Sequence, residues 1–297
     1  MNVDLAVVTP AYLDYTFVGL ESLPGPGEER FAGDMLRSPG GGAITAIGAR
    51  RLGLTTALVA PLGDDLAGRF VRRALEEEGI EVGESRGNRT PTTVVMPVAG
   101  ERSMVTVDPG VRARASDLES LSPRAVSATL EQIDLLPGDL CTFVTCGDDD
   151  ARAFAGRLPR TPRRMRALIV NRREAAILTG ESTPDGGAAV LASVAEIAVV
   201  TLGPEGAVAR VADRTVAVAG VNTTPVVDTT GAGDLFAAAL AWADLLGADP
   251  EVALPWANLY AGLSIGSHTG VGGAVSRERL IAEGEQRGLP PLPDSRH

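Results

Sequence analysis

The sequence predicts a doubly wound α/β fold, in which a mostly parallel sheet carries helices on both faces and a small β-sheet lies beside it. Apolar strand-like runs alternate with helical stretches throughout the 297 residues. Hydrophobic residues make up 44% of the chain and aromatic residues only 4%, which is typical of a core built from Ala, Val and Leu. A chain of this length fits one large domain, or one domain with a small appendage.

The predicted elements alternate along the chain in the order that such a fold requires. Each strand-like run is apolar and bounded by turn residues, whereas the helical stretches place apolar residues on one face. The stretch 67–78, for instance, is amphipathic and ends at Gly79, a residue that favours helix termination. The predicted strands are 5–8, 56–60, 92–98, 103–107, 140–144, 167–170, 197–201 and 208–211, and the predicted helices are 43–52, 67–78, 173–178, 233–246 and 256–267.

Two segments, 15–36 and 92–107, do not follow this alternation. Both are β-rich, and the second has the pattern of a hairpin that turns at residues 99–100. We expect them to form a small sheet that projects from the core as a lid, with limits near 12–37 and 91–108. No segment is long enough to act as a linker between independent domains.

Composition excludes several classes of function. The net charge of −11 argues against a nucleic-acid surface, because neutralising phosphates needs a concentrated basic patch. No apolar stretch reaches the roughly 18 residues of a membrane span, so we expect no membrane contact. The first residues run directly into a strand without a basic leader, so we expect a cytoplasmic protein. Cys141 and Cys146 point to opposite faces of one strand-like run, which argues against a disulfide.

The chain contains no lysine, and all 27 of its Lys and Arg residues are arginine. A Walker A phosphate loop requires Gly-Lys-Ser/Thr, and Schiff-base chemistry requires a lysine amine. Both kinds of site are therefore excluded. If the protein handles phosphates, it must do so with arginine, metal ions and backbone amides.

The segment Asp228–Asp234, with the sequence Asp-Thr-Thr-Gly-Ala-Gly-Asp, carries the strongest chemical signal. An apolar strand precedes it and an alanine-rich helix follows it. Gly231, Ala232 and Gly233 leave the first N–H groups of this helix exposed, and together with the helix dipole these groups bind an anion. Asp234 beside such a site is placed to take the proton of an attacking hydroxyl. The alternative is a plain glycine-rich turn in which Asp234 caps the helix.

The same string, followed by Leu235 and Phe236, resembles the C-terminal signature of the ribokinase-like (PfkB) carbohydrate kinase family. Further segments resemble the family's motifs in chain order and cover nearly the whole chain. They are Asp14 after the first strand, the lid entry at 23–28, the N-terminal signature at 41–43 and 51–53, the Gly-x-Asp-x-x-Gly turn at 63–68, the lid hairpin at 100–102, the Asn-x-x-Glu motif at 171–174, and the nucleotide turn at 201–206 with Asn258 beyond it.

The resemblance implies one ribokinase-like domain over residues 1–297 and an ATP-dependent transfer of the γ-phosphate to a sugar hydroxyl. It implies that Asp234 is the base and that Gly231, Ala232 and Gly233 stabilise the migrating phosphoryl group. ATP and Mg²⁺ are the implied cofactors, and some members add a monovalent cation, usually K⁺. The implied residues are Asp14, Gly41, Gly42, Ile44 and Arg102 for the substrate; Asn171, Thr201, Gly203, Gly206 and Asn258 for the nucleotide; Glu174 for Mg²⁺ through water; and Asp228 and Thr230 for the monovalent cation.

Ile44 departs from the family pattern. Counting back eight residues from Leu52 reaches Ile44, where the family signature carries an asparagine that bonds sugar hydroxyls. A branched hydrocarbon lacks that amide, so we expect a less hydroxylated or differently placed substrate. Thr45 compensates only if the helix register shifts, and packing of Ile44 into the core is the alternative interpretation.

The segment from Cys146 to Asn171 is short for this family, which usually fits a further strand and helix there. One helix over 148–158 accounts for much of its length. We therefore expect a missing strand–helix unit, or an abbreviated loop, that changes the edge of the sheet. It removes none of the residues assigned to phosphoryl transfer.

Three functions fit these observations. The leading hypothesis is a carbohydrate kinase. A nucleoside kinase of the same fold is close behind, because Tyr12, Tyr15, Phe17 and Phe31 near the lid allow a base to stack without demanding it. A non-catalytic sugar- or nucleotide-binding homologue is the third, because Ile44 removes an expected substrate contact. The expected partners are small molecules, and the β-rich edge of the lid offers a surface for a homodimer.

Overall fold

The computed structural model describes the chain except for 84–86, 99–100, 160–163, 222–224 and 294–297, and of residue 101 it describes the backbone alone. Strands occur along the whole chain up to residue 219. They are β1 (Asn2–Val7), β2 (Ala11–Val18), β3 (Asp34–Gly41), β4 (Thr56–Leu58), β5 (Glu81–Val82), β6 (Thr92–Val98), β7 (Glu101–Val107), β8 (Ser122–Thr129), β9 (Thr142–Thr145), β10 (Met165–Asn171), β11 (Ala195–Thr201), β12 (Gly206–Val211) and β13 (Arg214–Ala219).

The helices lie between these strands and, after β13, follow one another. They are α1 (Gly42–Arg51), α2 (Leu66–Glu77), α3 (Asp148–Ala153), α4 (Arg172–Thr179), α5 (Pro184–Leu191), α6 (Ala232–Leu245), α7 (Pro250–Ser264), α8 (Gly270–Gly273) and α9 (Arg277–Gln286), with 3₁₀ turns at Ala115–Leu118, Leu130–Leu135 and Gly203–Glu205. Within the described residues, none of the helices combines the length and the apolar character needed to cross a membrane.

Nine strands form one sheet in the order β13-β12-β11-β10-β9-β8-β1-β4-β5. The strands from β11 to β5 are parallel, whereas β12 and β13 extend the sheet as an antiparallel pair. The chain runs outward from β1 through β4 and β5, and then builds β8 to β11 on the other side of β1. This reversal places a topological switch point between β1 and β8. Ligands of open parallel sheets bind outside the carboxyl ends of the strands at such a point.

Both faces of this sheet are covered, because successive side chains of a strand enter different apolar clusters. In β10, Ile169 joins a buried cluster with α1, α6 and α7, whereas Leu168 and Val170 pack on the opposite face with α4 and α5. Burial on both faces explains why these strands form continuous apolar runs in the sequence. The predicted fold class, a mostly parallel sheet between two layers of helices, is confirmed.

A separate four-stranded sheet has the order β3-β2-β6-β7. β2 pairs antiparallel with β3 and parallel with β6, so that Asp14 lies between Ser38 and Thr93. β6 and β7 form an antiparallel hairpin whose turn, at 99–100, lies outside the described residues. The β-rich character expected for two segments is thus found in β2, β3, β6 and β7. Residues 19–33, all of which are described, contain no strand.

β8 is the main strand that the sequence analysis missed. Pro123 and Arg124 interrupt the apolar pattern of this strand, yet residues 125–128 are buried next to β1. β8 supplies the strand that was expected to be missing, and it precedes β9 rather than following it. β9 and β10 pair directly inside the sheet, with Phe143 opposite Ala167. The expectation of an altered sheet edge is therefore wrong, because the short segment joins two interior strands.

The sequence analysis also missed β13, α5 and α9, and it started α7 at residue 256 instead of Pro250. Pro255 lies inside α7, and a proline in a helix interior reads as a helix break. Gly186 and Gly187 similarly lower the helix propensity of α5. In each case tertiary packing overrides the local preference of the chain.

Candidate active site

The loop that leads into α6 is held by the buried carboxylate of Asp228. This carboxylate accepts hydrogen bonds from the backbone N–H groups of Thr230 at 2.8 Å and of Thr269 at 2.9 Å. The N–H groups of Val227 and Asp228 in turn donate to the carbonyl oxygen of Ile265, at the end of α7. The loop is therefore fixed to the α7–α8 connection before α6 begins.

Gly231 gives α6 its starting geometry. Its φ of 78° lies in the left-handed region, and a Cβ there would come within 2.8 Å of the Cα of Gly270 and 2.9 Å of Cδ1 of Ile44. Ala232 and Gly233 follow in the first turn, whose backbone N–H groups have no acceptor within the helix. A Cβ on Gly233 would meet open space, so an anion can approach the helix terminus from that side.

Asp234 lies in the first turn of α6 and is half-buried. The hydroxyl of Thr45, from α1, donates to its Oδ1 at 3.4 Å. Burial raises the pKa of Asp234 to about 6, although the positive charge of Arg102 and the hydrogen bond from Thr45 oppose the rise. Near neutral pH most of this group is ionised and able to accept a proton.

Asp14 is a second buried carboxyl group, and it lies in the same electrostatic environment. Its side chain is hydrogen-bonded to Thr93 across the β2–β6 pair, and a Cβ on Gly40 would come within 2.1 Å of its Oδ2. Burial and the negative charges of Asp234 and Asp228 raise the pKa of Asp14 to about 7, against the effect of Thr93. The electrostatic coupling places Asp14 and Asp234 in one site.

Gly41 and Gly42 carry the chain from β3 into α1 at the carboxyl end of β1. The N–H of Gly42 donates to the carbonyl oxygen of Pro10 at 2.9 Å, and a Cβ on Gly42 would lie 2.3 Å from the carbonyl oxygen of Thr9. Gly41 has a φ of 56°, and a Cβ there would lie 2.5 Å from the ring of Tyr12. The start of α1 is therefore fixed beside the switch point of the sheet.

Ile44 packs into the core. Its side chain is 1% exposed and lies against Gly231 and Gly270. This is the packing interpretation that the sequence left open, and it offers no side-chain surface for a substrate. Thr45, the next residue, is the α1 side chain that meets Asp234, and it does so without any shift of helix register.

Arg102 connects the four-stranded sheet to the loop before α6. Its guanidinium donates to the carbonyl oxygen of Thr229 at 2.9 Å and to the hydroxyl of Thr229 at 2.8 Å. Burial raises the pKa values of Asp234 and Glu174, and the charge of Arg102 opposes both rises. Arg102 therefore acts electrostatically on two carboxyl groups that belong to different elements of the core.

Glu174 and Asn171 form a capping box at the start of α4. The N–H and Nδ2 of Asn171 donate to the Glu174 carboxylate at 2.8 and 2.6 Å, and the N–H of Glu174 donates to Oδ1 of Asn171 at 2.9 Å. Burial raises the pKa of Glu174 to about 7; the Asn171 N–H opposes the rise, and the charges of Asp148 and Asp150 add to it. A nearby cation would favour the ionised form of this carboxyl group.

The glycines expected at the nucleotide lie near the carboxyl ends of β10 and β11, where Asn171 and Thr201 are opposite each other. Gly203 has a φ of 62° and open space around its Cβ position. A Cβ on Gly206 would lie 2.0 Å from the carbonyl oxygen of Val218, so this position requires glycine for backbone packing. The turn therefore exposes backbone at Gly203 and is closely packed at Gly206.

Asn258 is buried on α7 and donates from Nδ2 to the carbonyl oxygen of Ala219 at 2.9 Å. This hydrogen bond ties α7 to the end of β13. The amide nitrogen of Asn258 is thus engaged with the backbone, and the adjoining residues 222–224 lie outside the described part of the chain.

Thr230 and Asp228 offer oxygen ligands for a monovalent cation. The Thr230 hydroxyl is buried and has no hydrogen-bond partner among the described residues. A buried polar atom without a partner, next to a carboxylate, fits a missing ligand such as a cation.

Glu174 fits a different kind of metal ion. In the described ranges, no group of three or more His, Cys, Asp or Glu side chains is able to enclose a metal. Mg²⁺ in phosphoryl-transfer sites keeps several waters and binds through one or two carboxylates together with phosphates. A single buried carboxylate such as Glu174 is compatible with that mode of binding.

Two residues beside the buried carboxyl groups were missed by the sequence analysis. Thr45 is the polar side chain within the apolar first half of α1, and that isolation was a usable signal. Thr93 reaches Asp14 only because β2 and β6 pair in parallel, which no local pattern in the sequence reveals.

Comparison with known proteins finds relatives that cover most of the chain. The sequence profile described as pfkB family carbohydrate kinase matches residues 13–275. A ribokinase from Bacillus subtilis is 28% identical over 86% of this chain and 91% of that protein. An uncharacterized sugar kinase from Archaeoglobus fulgidus is 29% identical over 69% of this chain and 89% of that protein.

Solved structures share the fold at lower sequence identity. A putative ribokinase from Agrobacterium tumefaciens superposes with a TM-score of 0.79 at 21% identity, over 97% of this chain and 99% of that one. The ribokinase of Arabidopsis thaliana, complexed with ribose and ATP, gives 0.72 at 22% identity, over 95% and 98%. The nucleoside kinase of Methanocaldococcus jannaschii gives 0.72 at 19% identity, over 95% and 98%.

Proposed function

The chain belongs to the pfkB family of carbohydrate kinases, and on that premise we propose that it transfers the γ-phosphate of ATP to a hydroxyl group of a small sugar or sugar-like acceptor. Such a reaction needs a base for the acceptor hydroxyl, donors for the charge on the phosphoryl group, and groups that position both substrates. The residues around the start of α6 supply these functions.

Asp234 is the observation that carries this proposal. It combines partial burial, a pKa of about 6 and a place beside the free N–H groups of α6. Asp234 accepts the proton of the acceptor hydroxyl as that oxygen bonds to the γ-phosphorus and the bond from phosphorus to the β–γ bridging oxygen breaks. The backbone N–H groups of Gly231, Ala232 and Gly233 stabilise the negative charge on the migrating phosphoryl group.

Asp14 positions the acceptor in this scheme. Its carboxyl group is buried at the base of the four-stranded sheet, and it is coupled electrostatically to Asp234. A carboxyl group fixed by Thr93 can hold two hydroxyls of a polyol in a set orientation. The glycines Gly41 and Gly42 leave the backbone accessible beside it.

The nucleotide is proposed to lie over the carboxyl ends of β10 and β11, along Asn171, Thr201 and Gly203. Gly206 and Asn258 shape this surface through the backbone that they support. Mg²⁺, when bound with ATP, neutralises charge on the phosphate oxygens, and Glu174 is the residue that would hold it through water. Asp228 and Thr230 would hold a monovalent cation behind the anion site.

We propose that the four-stranded sheet is a lid on a single domain that spans the chain. Arg102 supports this role, because it spans from β7 to both oxygens of Thr229. Closure of the sheet over Asp14 and Asp234 excludes water, which would otherwise compete with the acceptor for the phosphoryl group.

The lid also offers an interface for a second copy of the chain. β7 is an edge strand of its sheet, and Met104, Val105 and Val107 on it are 49–62% exposed. Exposed apolar side chains on an unpaired edge favour association. A homodimer through this edge is the assembly that we propose, and sedimentation of Val105→Glu tests it: the variant is expected to sediment as a monomer.

A nucleoside is the second candidate acceptor, and a pocket under the lid favours it. An aromatic and aliphatic pocket of this kind accepts a planar base as readily as it accepts a sugar. The walls of this pocket are Phe17, Val18, Pro97, Val98, Val226 and His268, with Arg102 beside them.

The test is an acceptor screen in which ATP turnover is measured with sugars, polyols and nucleosides as separate panels. Turnover with a sugar and none with any nucleoside supports the carbohydrate kinase. Turnover with nucleosides alone supports the alternative. ATP binding without turnover on any acceptor contradicts both, and it leaves a non-catalytic nucleotide-binding protein.

A further inference from the structure

Thr45 is a buried hydroxyl that meets the carboxylate of Asp234, and the sequence motifs give it no task. Its side chain is 2% exposed, and Oγ1 lies 3.4 Å from Oδ1 of Asp234. Ile44, one residue earlier, points to Gly231 and Gly270 instead. Because neighbouring residues of a helix diverge by about 100°, only one of the two can face the base.

The contact is held in place by the tight packing of α1 on α6. Gly48 lies one turn after Thr45, and a Cβ on it would come within 2.4 Å of a methyl group of Leu235. The hydroxyl of Tyr260, from α7, donates to the carbonyl oxygen of Gly48 at 3.2 Å. With the entry to α1 fixed as well, the helix cannot rotate or slide away from Asp234 without losing these contacts.

The hydrogen bond acts on one oxygen of the base and leaves the other free. In the part of the chain that the structure describes, the hydrogen bond to the Asp234 carboxylate comes from Thr45 and ends on Oδ1. Oδ2 is therefore available to a substrate hydroxyl. A donor to the carboxylate also favours its charged form, which burial disfavours.

We propose that Thr45 is a positioning residue for the base: its hydroxyl fixes Oδ1 of Asp234, keeps the carboxylate charged, and so aims Oδ2 at the acceptor hydroxyl. The inference rests on the proposed function for its purpose. The interaction itself exists without any substrate, and this allows the two to be tested separately.

The first experiment needs neither ATP nor acceptor. The titration of the Asp234 carboxyl carbon is followed by ¹³C NMR in wild type, Thr45→Val and Thr45→Ser, with Asp234→Asn to assign the signal. Removing a hydrogen bond to a charged group is expected to raise the midpoint by roughly half to one pH unit in Thr45→Val. Thr45→Ser, which keeps the hydroxyl, is expected to titrate as wild type does.

Thr56→Val is the matched control. Thr56 is also a buried threonine, and its hydroxyl donates to the carbonyl oxygen of Leu54 at 3.1 Å, but it lies at the amino end of β4. Its loss is expected to leave the titration of Asp234 unchanged. An unchanged midpoint in Thr45→Val overturns the proposal, and so does an equal shift in Thr56→Val. If Thr45→Val does not fold, Thr45→Ala serves in the same measurement.

The second experiment is the pH profile of kcat/KM with an acceptor that the screen identifies. The acid limb is expected to move to higher pH in Thr45→Val by the same amount as the NMR midpoint, with the plateau at high pH largely kept. A uniform loss at every pH, with the limb in place, indicates a purely structural role and overturns the proposal. If the midpoint shifts while no acceptor turns over, the kinase proposal fails and the interaction of Thr45 with Asp234 stands.

Discussion

The acceptor side and the nucleotide side of the proposed site use their polar groups in opposite ways. On the acceptor side, Asp14 and Asp234 are carboxyl groups with raised pKa values, and each has one hydrogen-bonding side chain. On the nucleotide side, the amide of Asn171 is engaged by Glu174, and that of Asn258 by the backbone of Ala219. One side keeps reactive groups under strain, and the other has satisfied its polar groups within the protein.

This difference indicates where the chain trades stability for chemistry. A buried carboxylate without full compensation destabilises the folded state, so its retention points to a function that needs it. Amides that are bonded to the protein build a rigid surface and leave recognition to the backbone. The absence of lysine agrees with that division, because phosphate must then be held by arginine, metal ions and N–H groups.

Asp234→Asn gives the largest expected effect. The amide cannot accept the acceptor proton, so kcat is expected to fall by roughly 10²–10⁴, the usual contribution of a general base. ATP affinity, measured by calorimetry, is expected to stay close to that of wild type. A variant that turns over as fast as wild type would remove Asp234 from the chemistry and dissolve the contrast between the two sides.

Gly231→Ala is expected to be next in size. The left-handed φ of 78° and the contacts with Gly270 and Ile44 leave no room for a methyl group, so the N–H groups at the start of α6 must move. Loss of one such donor lowers kcat by roughly 10²–10³. Gly147→Ala is the control, since a Cβ there meets open space. Steady-state kinetics of both variants decide the matter: similar activities would contradict an anion site at Gly231.

Asp14→Asn is expected to weaken acceptor binding and to stabilise the fold. The KM for the acceptor rises, because an amide presents one acceptor oxygen in place of two. The pKa of Asp14 is raised to about 7, so its charged form destabilises the folded protein as the pH rises through that value. At about pH 8 the variant should melt higher than wild type, by roughly 2–4 °C for each kcal/mol relieved.

The control for this variant is the same melting experiment at about pH 4, where the carboxyl group is protonated in the folded state and the difference should vanish. A variant that melts lower than wild type at both pH values would show that Asp14 stabilises the fold. The acceptor side would then resemble the nucleotide side.

Asn258→Ala is expected to have the smallest effect on catalysis. Removing Nδ2 leaves the carbonyl oxygen of Ala219 without its donor, which costs about 1–3 kcal/mol of stability. Thermal melting is expected to show this loss, while kcat remains near the wild-type value and the KM for ATP rises modestly. A large fall in kcat with no change in melting temperature would place Asn258 in the chemistry instead of in the framework.

The sequence predicts the core of this fold well because its interior strands are buried on both faces. Runs such as 167–170 and 197–201 are apolar throughout, and they lie in β10 and β11. β8 is missed because Pro123 and Arg124 lie at its start, where only the tertiary fold shows that the strand continues next to β1. Pro255 conceals the first turns of α7 in the same way.

The site is predictable where one short segment contains it, and less so where the fold assembles it. The order of residues in Asp228–Asp234 already gives the turn, the helix start and the acid. The partners of that acid come from α1, β2 and β7, and their orientation depends on packing. Counting residues therefore led to Ile44, whereas the rotation of α1 brings Thr45 to the base.

The central claim is that the γ-phosphate passes to an acceptor hydroxyl whose proton is taken by Asp234. The most direct measurement is transfer of label from γ-labelled ATP to an acceptor, compared between wild type and Asp234→Asn at saturating ATP. The account predicts labelled acceptor with wild type and almost none with the variant, although both bind ATP. Equal labelling by the two proteins, or label released only to water by wild type, would contradict it.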